Sequence, residues 1–157
     1  MKKICPSSGF TLIEILIVML IFSVLTSSGY LAYTNLITRK TLDKAYREIR
    51  SGLLEAKKMA EYGKKDKCIA EQQLYGYEFS WDENNNVYSF TLSALCDEDS
   101  IFVKSVQLDK GIVLSGGEDN EIIFKVLDGK PVKQYDLKVS LDEQEKEITI
   151  GSLGELR

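Results

Sequence analysis

The chain predicts an α+β fold in which a long N-terminal transmembrane and amphipathic helix packs on a small antiparallel β-sheet domain. Three observations carry this expectation. Residues 10–33 form an apolar run with a single formal charge, Glu14. From Leu42 to Ala60, apolar residues return at three- and four-residue steps, the period of an amphipathic helix. After residue 73 the apolar period falls to two, the period of strands with one buried face.

The apolar run, of roughly 20 or more residues, is long enough for a helix to cross a hydrocarbon core about 30 Å thick. Lys2 and Lys3 precede it with no acid nearby, as suits the positive-inside flank of a membrane segment. Beyond it, Leu42, Ala45, Tyr46, Ile49, Leu53, Ala56, Met59 and Ala60 mark one helix face, with Asp43, Lys44, Arg47, Glu48, Arg50, Glu55, Lys57 and Lys58 between them. Gly63 is the expected stop, because helices commonly end on a left-handed glycine. One helix from Phe10 to about Tyr62 is therefore expected. Gly29 and Gly52 lie inside it, each costing about 1 kcal/mol relative to alanine, with a bend expected near Gly29.

In the second half, Tyr75, Tyr77, Phe79 and Trp81 alternate with Gly76, Glu78 and Ser80, and Tyr88, Phe90, Leu92 and Ala94 alternate with Ser89, Thr91 and Ser93. With Asp82 to Asn86 as the turn, residues 74–94 read as a hairpin. Further strands are expected over 101–108, 111–115, 121–127, 134–141 and 146–150, punctuated by turn-forming Gly, Asp, Asn and Pro. Seven short strands imply an antiparallel meander or a small sandwich.

Composition excludes several chemistries. The chain has no histidine, so histidine acid/base catalysis and Cys/His nucleophile pairs are absent. Twenty basic residues against 24 acidic ones give a net charge of -4. A surface that neutralises phosphates needs clustered Lys and Arg, so nucleic acid is not an expected partner; Lys57, Lys58, Lys64, Lys65 and Lys67 form the only concentrated basic stretch. The acidic clusters 97–99, 118–120 and 142–143 lack EF-hand spacing and read as solvated turns, not a metal site. No cofactor is implied.

Glu14 is the candidate functional residue, since a carboxylate at membrane depth costs roughly 2.5 to 3.5 kcal/mol on insertion scales and is usually functional. The stretch Pro6-Ser-Ser-Gly-Phe-Thr-Leu-Ile-Glu14 resembles the processing site of type IV prepilins and type II secretion pseudopilins. The resemblance implies cleavage between Gly9 and Phe10, N-methylation of Phe10, and a mature chain in which Glu14 pairs with the Phe10 amine of a neighbouring subunit. It divides the chain into a leader (1–9), a transmembrane assembly helix (10–33), an amphipathic stem (34–63) and a β domain (64–157). The strand containing Gly76-Tyr77, the Ile122 to Gly129 strand and turn, and the Ile148 to Arg157 stretch resemble the GspH/FimT group of minor pseudopilins and minor pilins.

Loss of the leader would remove Lys2, Lys3 and Cys5, leaving 18 basic against 24 acidic residues, or -6 on side chains. Cys68 and Cys96 would remain, an even count compatible with one bridge in an oxidising compartment or with two free thiols. The partners implied are the prepilin peptidase/N-methyltransferase, other pilin-like subunits, the inner-membrane assembly platform and the membrane itself, with no small-molecule substrate. The implied location is the inner membrane, with the β domain outside the cytoplasm. The rival readings are a minor pilin displaying a ligand surface for DNA or an adhesion target, a membrane-anchored enzyme, and an ordinary secretory signal cut near Gly29.

Overall fold

The computed structural model describes residues 11–63, 68, 72–97, 99–116 and 120–157. A helix α1, Leu12–Tyr62, precedes seven strands: β1 Leu74–Asn84, β2 Val87–Cys96, β3 Asp99–Gln107, β4 Val113–Ser115, β5 Glu121–Lys125, β6 Tyr135–Leu141 and β7 Gln144–Ile150. The fold is α+β, helix on antiparallel sheet. Two compact units divide the chain at Ile37/Thr38, and each is described by itself.

In the first unit, helical residues from Leu12 to Ile37 leave Leu16, Met19, Leu20, Phe22, Leu25, Tyr30 and Tyr33 exposed. Gly29 lies within the helix, with open space where a side chain would stand.

In the second unit the strands form two antiparallel sheets, ordered β3-β2-β1-β5 and β4-β6-β7. This refines the meander expectation, because β5 leaves its sequence neighbour β4 and pairs instead with β1, Tyr77 opposite Phe124 and Phe79 opposite Ile122. The period-two pattern explains which face turns inward. Tyr77, Phe79 and Trp81 of β1, Phe90, Leu92 and Ala94 of β2, and Leu137, Val139, Ile148 and Ile150 of the second sheet are buried, and all join one hydrophobic cluster. The helical face of Leu42, Ala45, Ile49, Leu53, Ala56 and Ala60 completes that cluster.

The turns are tighter than composition suggests. β1 continues through Asn84, so the hairpin turn is Asn85-Asn86 alone, at φ +53° and +59°. Two consecutive left-handed residues fit the two-residue hairpin turn, and asparagine tolerates that region better than other non-glycine residues. β7 likewise starts at Gln144, leaving Asp142-Glu143 as the turn. β5 stops at Lys125, two residues before the expected Leu127, because Leu127 adopts φ +77° and donates its N–H to the Ala60 carbonyl at 2.9 Å. Gly63 (φ +56°) ends α1 and bonds that same carbonyl at 3.1 Å.

Ion pairs tether this helix to the sheets: Glu55 to Lys104 of β3 at 3.0 Å, Lys44 to Asp109 at 2.9 Å, and Asp43 to Lys146 of β7. The hydrogen bond from Lys146 holds the Asp43 carboxyl below the ordinary carboxylate range. Half-exposed pairs of this kind contribute at most about 1 kcal/mol each, so they orient the helix whereas the apolar face holds it.

Gly52 shows what that apolar face requires. A methyl group there would lie 2.7 Å from Phe90 Cε2 and 3.1 Å from Phe79 Cε2, and those two rings are themselves stacked with centroids 4.9 Å apart. Overpacking of this kind costs about 1 to 3 kcal/mol, while alanine returns about 1 kcal/mol of helix propensity. Gly52→Ala should therefore destabilise the domain by about 1 kcal/mol, read by denaturant unfolding through Trp81 fluorescence. A stabilised Gly52→Ala protein, the outcome at an unobstructed helical glycine, would refute the close approach of Phe90.

Candidate functional site

The described chain begins at Thr11, so Gly9 and Phe10 lie outside the described residues. Immediately after them the helix opens on a reciprocal cap. Thr11 Oγ1 accepts the Glu14 backbone N–H at 3.3 Å, and Glu14 Oε2 accepts the Thr11 N–H at 2.9 Å and its hydroxyl at 2.8 Å. This is the capping box, Ser/Thr followed three residues later by Glu, which satisfies otherwise orphaned N–H groups of a first helical turn. The Thr11-Leu-Ile-Glu14 spacing carries that signal in the sequence, and reading Glu14 only as a membrane carboxylate passes over it. The cap explains why the helix starts at Leu12, and it fixes the Glu14 carboxylate at the start of the helix.

The helix that follows suits an apolar surrounding. Its most apolar stretch has a mean hydropathy of 2.2, with none of it buried in the structure, which makes it long and apolar enough to cross a membrane. Three of its hydroxyls turn back on the backbone: Ser23 to the Leu20 carbonyl at 2.8 Å, Thr26 to that of Phe22 at 2.9 Å, and Ser27 to that of Val24 at 2.9 Å. Polar side chains satisfied within their own helix avoid the cost of an unpaired donor where no water is present.

In the second unit, Cys68 and Cys96 form a disulfide with Cα atoms 5.7 Å apart. It joins the segment after α1 to the end of β2, where Asp97 and Gln73 exchange two hydrogen bonds, Asp97 N–H to the Gln73 carbonyl at 2.9 Å and Gln73 N–H to the Asp97 carboxylate at 3.1 Å. Gln72 adds a bond to Asp99 at 3.1 Å. Cys96 is fully buried.

Among the described residues no three Cys, Asp or Glu side chains gather as metal ligands; Glu98, Glu118 and Asp119 of the acidic clusters lie outside the described residues. So do Lys64, Lys65 and Lys67 of the basic stretch. Lys57 and Lys58 stand in the last turns of α1, and Lys57 is engaged with Glu61 at 3.5 Å.

Residues 6–30 match the prokaryotic N-terminal methylation motif. No curated protein and no solved structure matches the chain. The matched span takes in Gly9, Phe10, the Thr11–Glu14 cap and the opening of the exposed apolar helix. Together these features support a type IV pilin-like precursor: the motif implies processing by a prepilin peptidase and assembly with other pilin subunits as a structural subunit, and the apolar helix fits membrane anchoring.

Proposed function

Taking the methylation motif as premise, we propose that this chain is the precursor of a minor pilin or minor pseudopilin of the GspH/FimT group. Its leader is cut between Gly9 and Phe10, and Phe10 is then N-methylated. The new amine of Phe10 carries a positive charge, and Glu14 carries the one negative charge of residues 10–33. Two opposite charges in a low-dielectric medium attract strongly, and each is costly there when left alone. Glu14 of one subunit pairs with the Phe10 amine of the next, which sets the axial register as subunits enter a pseudopilus or pilus from the inner membrane. The β domain stands outside the cytoplasm, where the Cys68–Cys96 bridge is compatible with oxidising conditions.

The observation that carries this reading is the motif match over residues 6–30, which takes in the opening of a helix whose most apolar stretch is unburied. Intact-mass and N-terminal peptide analysis of the protein extracted from membranes tests it. The expected chain starts at an N-methylated Phe10. A chain still starting at Met1, or one cut near Gly29 by an ordinary signal peptidase, would overturn the assignment.

A further inference from the structure

Charge is spread unevenly along this chain. Residues 15–38 carry none. Residues 39–50 then carry five basic side chains, Arg39, Lys40, Lys44, Arg47 and Arg50, against the two acids Asp43 and Glu48, a balance of +3. Residues 51–157 carry 13 basic side chains against 21 acidic ones, a balance of -8. The sign therefore reverses within the stem, and the positive part comes first after the apolar run.

Packing leaves these cations at the surface. Leu42, Ala45 and Ile49 take the buried face of α1, whereas all five basic residues are exposed. Lys40, Lys44 and Arg47 succeed one another at four and three residues, which places them on one side of the helix. Lys44 is engaged by Asp109 and Glu48, and Asp43 is engaged by Lys146. Glu145 lines a groove with Arg39 but is not paired to it, and among the described residues Arg39, Lys40, Arg47 and Arg50 enter no ion pair.

Residues 12–33 of α1 rise about 33 Å at 1.5 Å per residue, enough for a hydrocarbon core about 30 Å thick. Arg39 follows Tyr33 by six residues, and long cationic side chains near the end of a membrane span reach toward the headgroup layer. An anionic bilayer surface attracts basic side chains beside a span and repels an acidic domain that comes within a Debye length of about 8 to 10 Å.

We propose that residues 39–50, led by Arg39 and Lys40, form a basic collar that binds the phosphate headgroups of anionic phospholipids in the leaflet from which α1 emerges. The collar holds the base of an acidic domain to a surface that would otherwise repel it. This goes beyond the pilin reading and rests only on its membrane anchor, since Gly9, Phe10 and Glu14 play no part.

Electron spin resonance of the full chain in phosphatidylcholine bilayers tests the collar, with spin-labelled phosphatidylglycerol and spin-labelled phosphatidylcholine as the two probes. Lipid slowed at the protein surface reports the embedded helix, and the ratio of the probes in that slowed population reports the collar. At low salt the anionic probe is expected to associate about threefold more strongly than the zwitterionic one. The preference should fall toward unity in about 1 M salt and in Arg39→Gln/Lys40→Gln, and should persist in Arg39→Lys/Lys40→Arg. Lys2 and Lys3 are common to all three proteins, so their attraction cancels in the comparison. Equal association of the two probes with the unaltered chain, or an undiminished preference in Arg39→Gln/Lys40→Gln, would overturn the collar and leave the anchor standing. The absence of slowed lipid with either probe would overturn anchor and collar together.

Discussion

Glu14→Ala should leave processing and membrane insertion intact and abolish entry into assemblies. On the proposed reading cleavage falls between Gly9 and Phe10, which the change does not touch, and removing a carboxylate eases insertion. On the same reading assembly loses one partner of a buried charge pair, which costs about 3 to 5 kcal/mol and leaves the Phe10 amine uncompensated; this corresponds to roughly a hundredfold or greater loss per subunit contact. The structure adds a control. The Glu14 carboxylate also caps the Thr11 N–H, and Glu14→Gln keeps an oxygen for that cap while losing the charge. If charge pairing drives assembly, Gln and Ala fail alike when subunits are crosslinked in cells. Crosslinking of Glu14→Gln at the wild-type level would reduce Glu14 to a helix cap and end its assignment as the register-setting charge.

Cys68→Ser should produce the largest loss of domain stability. The bridge spans a separation of 28 residues, and the chain-entropy relation for a loop of that length gives about 3 to 4 kcal/mol. For a unit the size of residues 38–157 that corresponds to a fall in Tm of roughly 10 to 20 °C. Cys68 is the better position to change, since Cys96 is fully buried and a hydroxyl there would add its own desolvation cost. Thermal unfolding of the oxidised full chain in detergent, set beside the Cys68→Ser protein, measures the difference. Equal midpoints would mean that the turn bonds between Gln73 and Asp97 hold this end of the domain without the staple.

Most of the fold is written locally. The amphipathic period of residues 42–60 selects the helical face that is buried, and alternation around Tyr77–Phe79–Trp81 and Phe90–Leu92–Ala94 selects the inward face of the sheet. Gly63 carries its stop because a left-handed glycine is a local requirement. What escapes the sequence is non-local. Nothing in the pattern of residues 121–125 says that they pair with β1 across some forty residues while β4 joins another sheet. Turn lengths escape for a different reason: Asp82 to Asn86 is rich in turn formers, and which two of them take left-handed geometry depends on the register of the flanking strands. At the N-terminal site, Gly9, Phe10 and Glu14 stand out by residue type and order. The cap between Thr11 and Glu14 was equally legible as a spacing of three.

Gly52 also bears on geometry at a larger scale. An α-helix turns about 100° per residue, so sliding or rotating the stem by one position would replace the glycine notch facing Phe90 with the isobutyl group of Leu53 or the hydroxymethyl of Ser51. Neither leaves room for the Phe90 ring, which would already lie 2.7 Å from a methyl group at Gly52. The sheet that carries Phe79 and Phe90 is thus keyed to a single azimuth around residues 38–62, and the stem can dock on it in one rotational setting only.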